Sequence, residues 1–424
     1  MNHQSLFQRP TANALTSRLR EQPRLMQILA GPRQVGKTTL VSQVLGQRPA
    51  QSFHMVAADP TALLAVTSLP TQRDVGVHLA PSPAWLQSQW AGAVERALAW
   101  SGSDHARKDE PFVLVVDEIQ KVPQWSSHVK GLWDADRAQG APMHVVLLGS
   151  APLLMQQGLA EGLTGRYELI RMSHWSFAEM NEAFDFTLDQ YIHFGGYPGS
   201  APLVADETRW REYLRNAIIE PSIEKDVLEM TRVDKPALLR QLFELGCDYS
   251  GQIVSLDKVS GRMGKGHTVT LADNLTRLGQ AGLLSGLHKY SAQTVRQRAS
   301  KPKFQVHNNA LMTALSTYRF DDARADRSHW GRKTESIVGA HLLNTADADT
   351  RLHYWNESDK EVDFVVEHRG RLAAIEVKSG TVKSAHAGLD EFCRRYPDAK
   401  RWLVGGEELP LGEFLRQEAP HWTR

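Results

Sequence analysis

The chain is poor in cysteine, with only Cys247 and Cys393 in 424 residues. Two thiols so far apart in sequence exclude a disulfide framework and the paired spacing of a zinc site, and they suit a reducing cytoplasm. No run of about 18 apolar residues occurs, so no membrane-spanning helix and no membrane partner are expected. Residues 1–22 lack the apolar core of a signal peptide, which makes a cytoplasmic location the expectation. Neither sign of charge dominates: 49 Lys and Arg face 48 Asp and Glu, for a net charge of +1. A nucleic-acid surface must therefore be a local patch. There is no internal repeat, and the one biased tract is the basic stretch Arg296–Lys303. The 42% hydrophobic and 23% charged residues are ordinary globular values, and the length suggests about two to four domains.

What is present is an alternation of strand and helix patterns. Met26–Ala30, Phe53–Ala57, Phe112–Val116 and His144–Leu148 are short apolar runs of the kind a parallel sheet buries on both faces. Amphipathic stretches at Thr38–Leu45, Trp85–Trp100 and Trp125–Arg137 lie between them, the signature of an α/β layer fold. Asp59–Pro83, rich in Pro, Thr and Ser, is expected to be an irregular insertion.

The first apolar run leads into Gly31-Pro32-Arg33-Gln34-Val35-Gly36-Lys37-Thr38, a complete GxxxxGKT loop, with Thr39 opening into a helix. Glycines at both ends let backbone N–H groups converge on phosphates, and the helix N-terminus adds positive partial charge. Lys37 can reach the β and γ phosphates and the Thr38 hydroxyl can ligate Mg²⁺. Residues Gly31 to Thr39 are thus the expected ATP-binding set. Phe112–Val116 runs into Asp117-Glu118, placing two carboxylates where open parallel sheets bind ligands. Asp117 is expected to hold Mg²⁺, and Glu118 to act as general base toward the attacking water. At the tip of the strand His144–Leu148, Ser150 can sense the γ-phosphate or simply cap the next helix.

GPRQVGKTTL, VVDEIQKVP, LLGSAP, LTGR, GGYP, EVDF and EVK occur in this order. Across nearly its whole length the chain resembles a prokaryotic family of AAA-type ATPases whose core is followed by a conserved domain of unknown function. The resemblance implies that Arg166 is a candidate arginine finger or phosphate-sensing arginine, acting in cis or from a neighbour. The oligomeric state stays open, with a homo-oligomer among the possibilities. Asn308 stands where the family usually has an aspartate.

Between residues 235 and 306, two short helices around Gly264-Lys265-Gly266-His267 precede candidate strands Leu283–Tyr290 and Pro302–Val306. This pattern resembles a winged helix-turn-helix. On that reading Thr270, Asp273, Asn274 and Arg277 face outward, and Lys289, Arg296, Arg298, Lys301 and Lys303 line a wing that can contact DNA phosphates. The module can equally serve protein partners. Further on, Glu335 on a helix, Asp363 opening a strand, and Glu376 with Lys378 on the next form the E…D…ExK pattern of restriction-endonuclease-like folds. Asp363 and Glu376 could share a Mg²⁺ and Lys378 could position the attacking water. Such a fold can also persist without cutting.

The expected architecture is α/β: a P-loop NTPase parallel sheet (1–173), a helical connector (174–234), a winged helix (235–306) and a mixed α/β nuclease-like domain (307–424). The expected function is ATP-dependent action on DNA. The rivals are a nucleotide-gated switch that binds a protein partner and an ATP-regulated, metal-dependent endonuclease.

Overall fold

The computed structural model describes residues 7–59, 80–104, 110–140, 143–150, 155, 158, 162–228, 236–262, 268–291, 300–378, 386–406 and 408–424. Most of the expected insertion, the turn 264–267, and Arg296 and Arg298 lie outside the described residues. The chain forms two compact units, Met1–Met172 and Ser173–Arg424.

The first unit runs α1 (Thr11–Arg18), β1 (Met26–Ala30), α2 (Lys37–Leu45), β2 (Phe53–Ala57), α3 (Pro83–Ser101), β3 (Phe112–Asp117), α4 (Trp125–Gln139), β4 (Met143–Gly149) and β5 (Tyr167–Arg171). Every residue of β3 and β4 is buried, which requires a sheet covered on both faces. One face packs against Leu86, Trp90, Trp125 and Val129 of α3 and α4. The other packs against Leu15, Leu40, Val41 and Val44 of α1 and α2. Local signals set the ends of α3: Ser82 accepts from the Trp85 N–H, and Pro83 stands in the first turn. The strands lie in the order β2-β3-β4-β1-β5, all parallel. Because β4 lies between β1 and β3, the carboxyl ends of these three strands stand side by side.

The second unit begins with α5 (Phe177–Phe184), α6 (Leu188–Phe194) and α7 (Glu207–Tyr213), then two π-helical runs, Leu214–Ile219 and Ser222–Leu228. The helices α8 (Pro236–Asp248), α9 (Leu256–Arg262) and α10 (Thr268–Gln280) lead into β6 (Leu284–Lys289) and β7 (Lys303–Val306). After α11 (Asn309–Leu315), α12 (Phe320–Ala325) and α13 (Arg327–Asn344) come β8 (Thr350–Glu357), β9 (Lys360–His368) and β10 (Arg371–Val377). The chain closes with α14 (Ala387–Arg395), β11 (Lys400–Val404) and α15 (Leu411–Phe414).

The pair β6–β7 is an antiparallel hairpin, but it is not a free wing. Its β6 strand pairs in parallel with β8, and all six strands make one sheet in the order β11-β10-β9-β8-β6-β7. The expected division at 306/307 therefore runs through a single sheet. Ser358-Asp359 and Arg369-Gly370 join β8, β9 and β10, all four with positive φ, as two-residue hairpin turns matching strand twist require.

Two expectations for the helix-turn-helix region are corrected. Leu271, Leu275 and Leu278 of α10 are buried, as their spacing predicts, but so is Asn274, at 0% exposure. Three residues after Leu271 and four before Leu278, it falls on the inner stripe. Lys303 is also 0% exposed, so it cannot serve as a wing cation meeting phosphate. Its ammonium is held by carboxylates within the unit.

Candidate functional site

The loop after β1 is shaped by close approach. A Cβ on Gly31 would lie 2.0 Å from the carbonyl oxygen of Met172, so no larger residue fits. Gly36 turns into α2 with φ of 87°, a left-handed conformation natural to glycine. Lys37 is 7% exposed. Its ammonium donates to the carbonyls of Gly31 at 2.9 Å and Pro32 at 2.7 Å. Arg9, which carried no sequence signal, is buried and donates to the Val35 carbonyl at 3.2 Å, bracing the loop from outside.

Across β4, the Thr38 hydroxyl donates to Asp117 Oδ2 at 2.7 Å, and Asp117 Oδ1 accepts from the Glu118 N–H at 2.8 Å. Burial pushes the Asp117 carboxyl above its ordinary range, with the Thr38 hydrogen bond and Lys37 pulling the other way. Glu118 has φ of 52°, an uncommon left-handed conformation for a non-glycine residue that turns the chain sharply off the strand. The Ser150 hydroxyl donates to Glu118 Oε2 at 2.7 Å, and Gln120 donates to the same oxygen. Gln120 went unnoticed in the sequence, because only the turn after β3 brings it back over the strand ends. Thr38 and Asp117, one hydroxyl and one buried carboxylate with facing oxygens, are a hard-oxygen pair suited to Mg²⁺.

Arg166 does not join this group. It stands at the opposite end of the sheet, where its carbonyl accepts from the N–H of Met26 at the start of β1. Its guanidinium makes two bonds to Asp134, at 2.8 and 3.0 Å. A five-residue strand spans about 16 Å, so a role in cis on phosphates held by its own loop is excluded. Any contact with nucleotide has to come from a neighbouring subunit.

In the second unit, Glu335 of α13, Glu361 and Asp363 of β9, and Glu376 of β10 gather as the pattern requires, but around a cation the sequence did not reveal. The Lys303 ammonium lies 2.6 Å from Glu335 Oε1, 3.5 Å from Glu361 Oε1 and 3.8 Å from Asp363 Oδ1. It donates to the Asp363 main-chain carbonyl at 3.1 Å. Burial alone would lower the Lys303 pKa, but the charges of Glu335, Asp363 and Glu361 together raise it above its ordinary value. Burial, then the charge of Asp363, push Glu335 up to about 7. Asp363 Oδ2 accepts from the Val377 N–H at 2.8 Å, and Lys378 donates to Glu376 Oε1 at 2.8 Å. Among the described residues, no group of three or more His, Cys, Asp or Glu is arranged to hold a metal ion. The acids expected to share a Mg²⁺, Asp363 and Glu376, stand in a cluster that also holds an ammonium, and Glu376 Oε2 is buried without a hydrogen-bond partner. A cavity of about 1040 Å³ opens above it, lined by Glu335, Glu361 and Asp363 and by Lys258, Lys289 and Lys301.

Asn308, the departure from the family pattern, is a structural residue here. Its Oδ1 accepts from the Gly196 N–H at 3.0 Å and the Ala310 N–H at 3.1 Å, capping α11.

A parallel sheet with a phosphate loop after β1, an acid pair after β3 and a polar tip on the strand between defines a P-loop NTPase core. Residues 23–181 match the family model of an AAA domain. Residues 185–322 and 330–415 match two further models, each described as a domain of unknown function (DUF8612 and DUF4143). Along its length the chain thus matches an AAA-type P-loop ATPase domain model followed by two models of unknown function, and the six-stranded sheet draws its strands from both of the latter. Uncharacterized proteins of Mycobacterium bovis and Mycobacterium tuberculosis are each 24% identical over 393 residues, 92% of this chain and 78% of theirs. Among solved structures, a Walker-type ATPase of Pyrococcus abyssi is 14% identical, with a TM-score of 0.43 over 74% of this chain and 95% of that one. The ORC1 protein of Aeropyrum pernix, in complex with DNA, is 14% identical, with a TM-score of 0.29 over 74% of this chain and 93% of that one. No helix of the described residues is long and apolar enough to cross a membrane.

Proposed function

We propose that the first unit binds ATP with Mg²⁺ and hydrolyses it, and that the chain uses this cycle to act on DNA. The observation that carries the ATPase reading is the 2.7 Å contact between Thr38 and Asp117 beside the Lys37 loop. These are the two side chains that would hold Mg²⁺, whose charge offsets that of the phosphates when bound. Lys37 exchanges its two carbonyl partners for phosphate oxygens. Glu118 takes a proton from the attacking water. Before that, Ser150 and Gln120 both donate to its Oε2 and occupy that oxygen. Turnover therefore calls for a shift of Ser150 toward the phosphate, which frees Glu118.

The DNA reading is supported by Lys258, Lys289 and Lys301, which could meet phosphates at one opening in the second unit, although Glu335, Glu361 and Asp363 line the same opening. The deciding experiment is ATP turnover with and without single-stranded, duplex and branched DNA, with Glu118→Gln as the control. Stimulation by one DNA form supports the proposal and identifies the substrate. Turnover indifferent to every form favours a switch that binds a protein partner. No turnover at all overturns the ATPase reading.

A further inference from the structure

The E…D…ExK cluster calls for a cation, and the chain supplies one. Lys303 belongs to β7, all four residues of which are buried, and its side chain is 0% exposed. The ammonium lies over the Phe364 ring, 4.9 Å from its centroid, so the stem is packed as well as paired. One of its acceptors is the main-chain carbonyl of Asp363, a partner fixed by the path of β9 that remains whatever the carboxylates bind. Charge alone could draw a surface lysine into a vacant acidic site, but such a lysine would keep a path to solvent and would need no backbone acceptor. Lys303 has no exposed atoms and has such an acceptor. The remaining acid of the pattern, Glu376, is engaged by Lys378 through Oε1, while its Oε2 is buried without a hydrogen-bond partner.

We propose that the Lys303 ammonium is the resident cation of this cluster, held against Glu335, Glu361 and Asp363. The second unit then carries a charge network centred on Lys303 and not a metal-dependent cleavage centre. A divalent ion held by Asp363 and Glu376 would share Asp363 with a buried positive charge 3.8 Å away, in a medium that screens poorly, so the two cations exclude each other. This inference does not depend on the ATPase reading.

The test is Mn²⁺ binding to the full chain without nucleotide, read by electron paramagnetic resonance of the free ion. It is run in an Asp117→Asn background so that the first unit contributes no site. The expected result is no Mn²⁺ site that depends on Asp363 or Glu376. Lys303→Met, which keeps the length of the side chain and removes the charge, should gain one site, tighter by more than about tenfold. Adding Asp363→Asn to Lys303→Met should abolish it. The proposal is overturned by a Mn²⁺ site in the chain with native Lys303 that Asp363→Asn removes. It is also overturned by a Lys303→Met chain that is folded, by circular dichroism and a cooperative melt, yet gains no site. If Lys303→Met does not fold, the chains with native Lys303 decide: binding lost in Asp363→Asn or Glu376→Gln refutes the proposal, and its absence in all of them upholds it.

Discussion

Asp117 and Glu118 in the first unit are bonded to hydroxyl and amide groups, while Glu335, Asp363 and Glu376 in the second lie against ammonium groups. Both sets stand at strand ends or on facing strands, apart from Glu335 on α13, and both look like catalytic acids in sequence. Neutral donors such as Thr38 and Ser150 can be exchanged for an ion or a water at the cost of roughly one hydrogen bond, about 1 kcal/mol. A buried ammonium cannot be exchanged so cheaply, because removing it leaves carboxylates with uncompensated charge. The partners of a carboxylate, more than its position, decide whether it is available for chemistry.

The comparison can be broken most sharply at Glu118. Glu118→Gln should bind ATP but turn it over about 10² to 10⁴ times more slowly, measured by phosphate release. Retained turnover would mean that another group is the base. The counterpart in the second unit is Lys303→Met, which should destabilise the fold by about 3 to 5 kcal/mol in chemical denaturation, the usual penalty for breaking a buried ion pair. A loss under about 1 kcal/mol would show that the carboxylates do not need the ammonium.

A finer test uses pH. Glu335 has its carboxyl raised from 4.5 to about 7 in the fold, so between those values the folded state binds more protons than the unfolded one. Its contribution to stability should therefore be present below about 4.5 and be lost as pH rises toward 7. Glu335→Gln should flatten that part of the melting-temperature profile, and an unchanged slope would remove Glu335 as the cause. Ser150→Ala should change turnover by up to about tenfold, the scale of one hydrogen bond to the base. The smallest expected effect on the isolated fold is that of Arg166→Ala, since its pair with Asp134 is exposed. If Arg166 acts from a neighbour, mixing Arg166→Ala with Lys37→Ala chains should restore turnover that neither shows alone.

Much of the first unit was legible in sequence. Its sheet is parallel and buried, so β1 and β2 appear as apolar runs with the bounds the structure gives, while β3 is longer by one residue at its end and β4 by one residue at each end. The loop and acid pair could be read because their chemistry is local, set by spacing along a few residues. Gln120 and Ser150 meet at Glu118 only through the fold, and no spacing announces that. Lys303 was misread for a physical reason: a lysine beside Pro302 at the edge of a short strand is usually solvated, and what buries it are acids 32 to 60 residues away in sequence. The side of the sheet on which Arg166 falls was likewise invisible until β5 was seen to run parallel to β1.

The pairing of β6 with β8 also bears on how the chain is made. The hairpin β6–β7 emerges from the ribosome with one edge of β6 unmatched, and its neighbour in the sheet begins only at Thr350. At roughly 5 to 20 residues per second, the 44 residues from Val306 to Thr350 take several seconds. Through that time an apolar strand edge stands open to any other extended chain nearby. The second unit is thus most exposed to mispairing during synthesis, and a break in translation between β7 and β8 would leave a fragment with an unpaired edge.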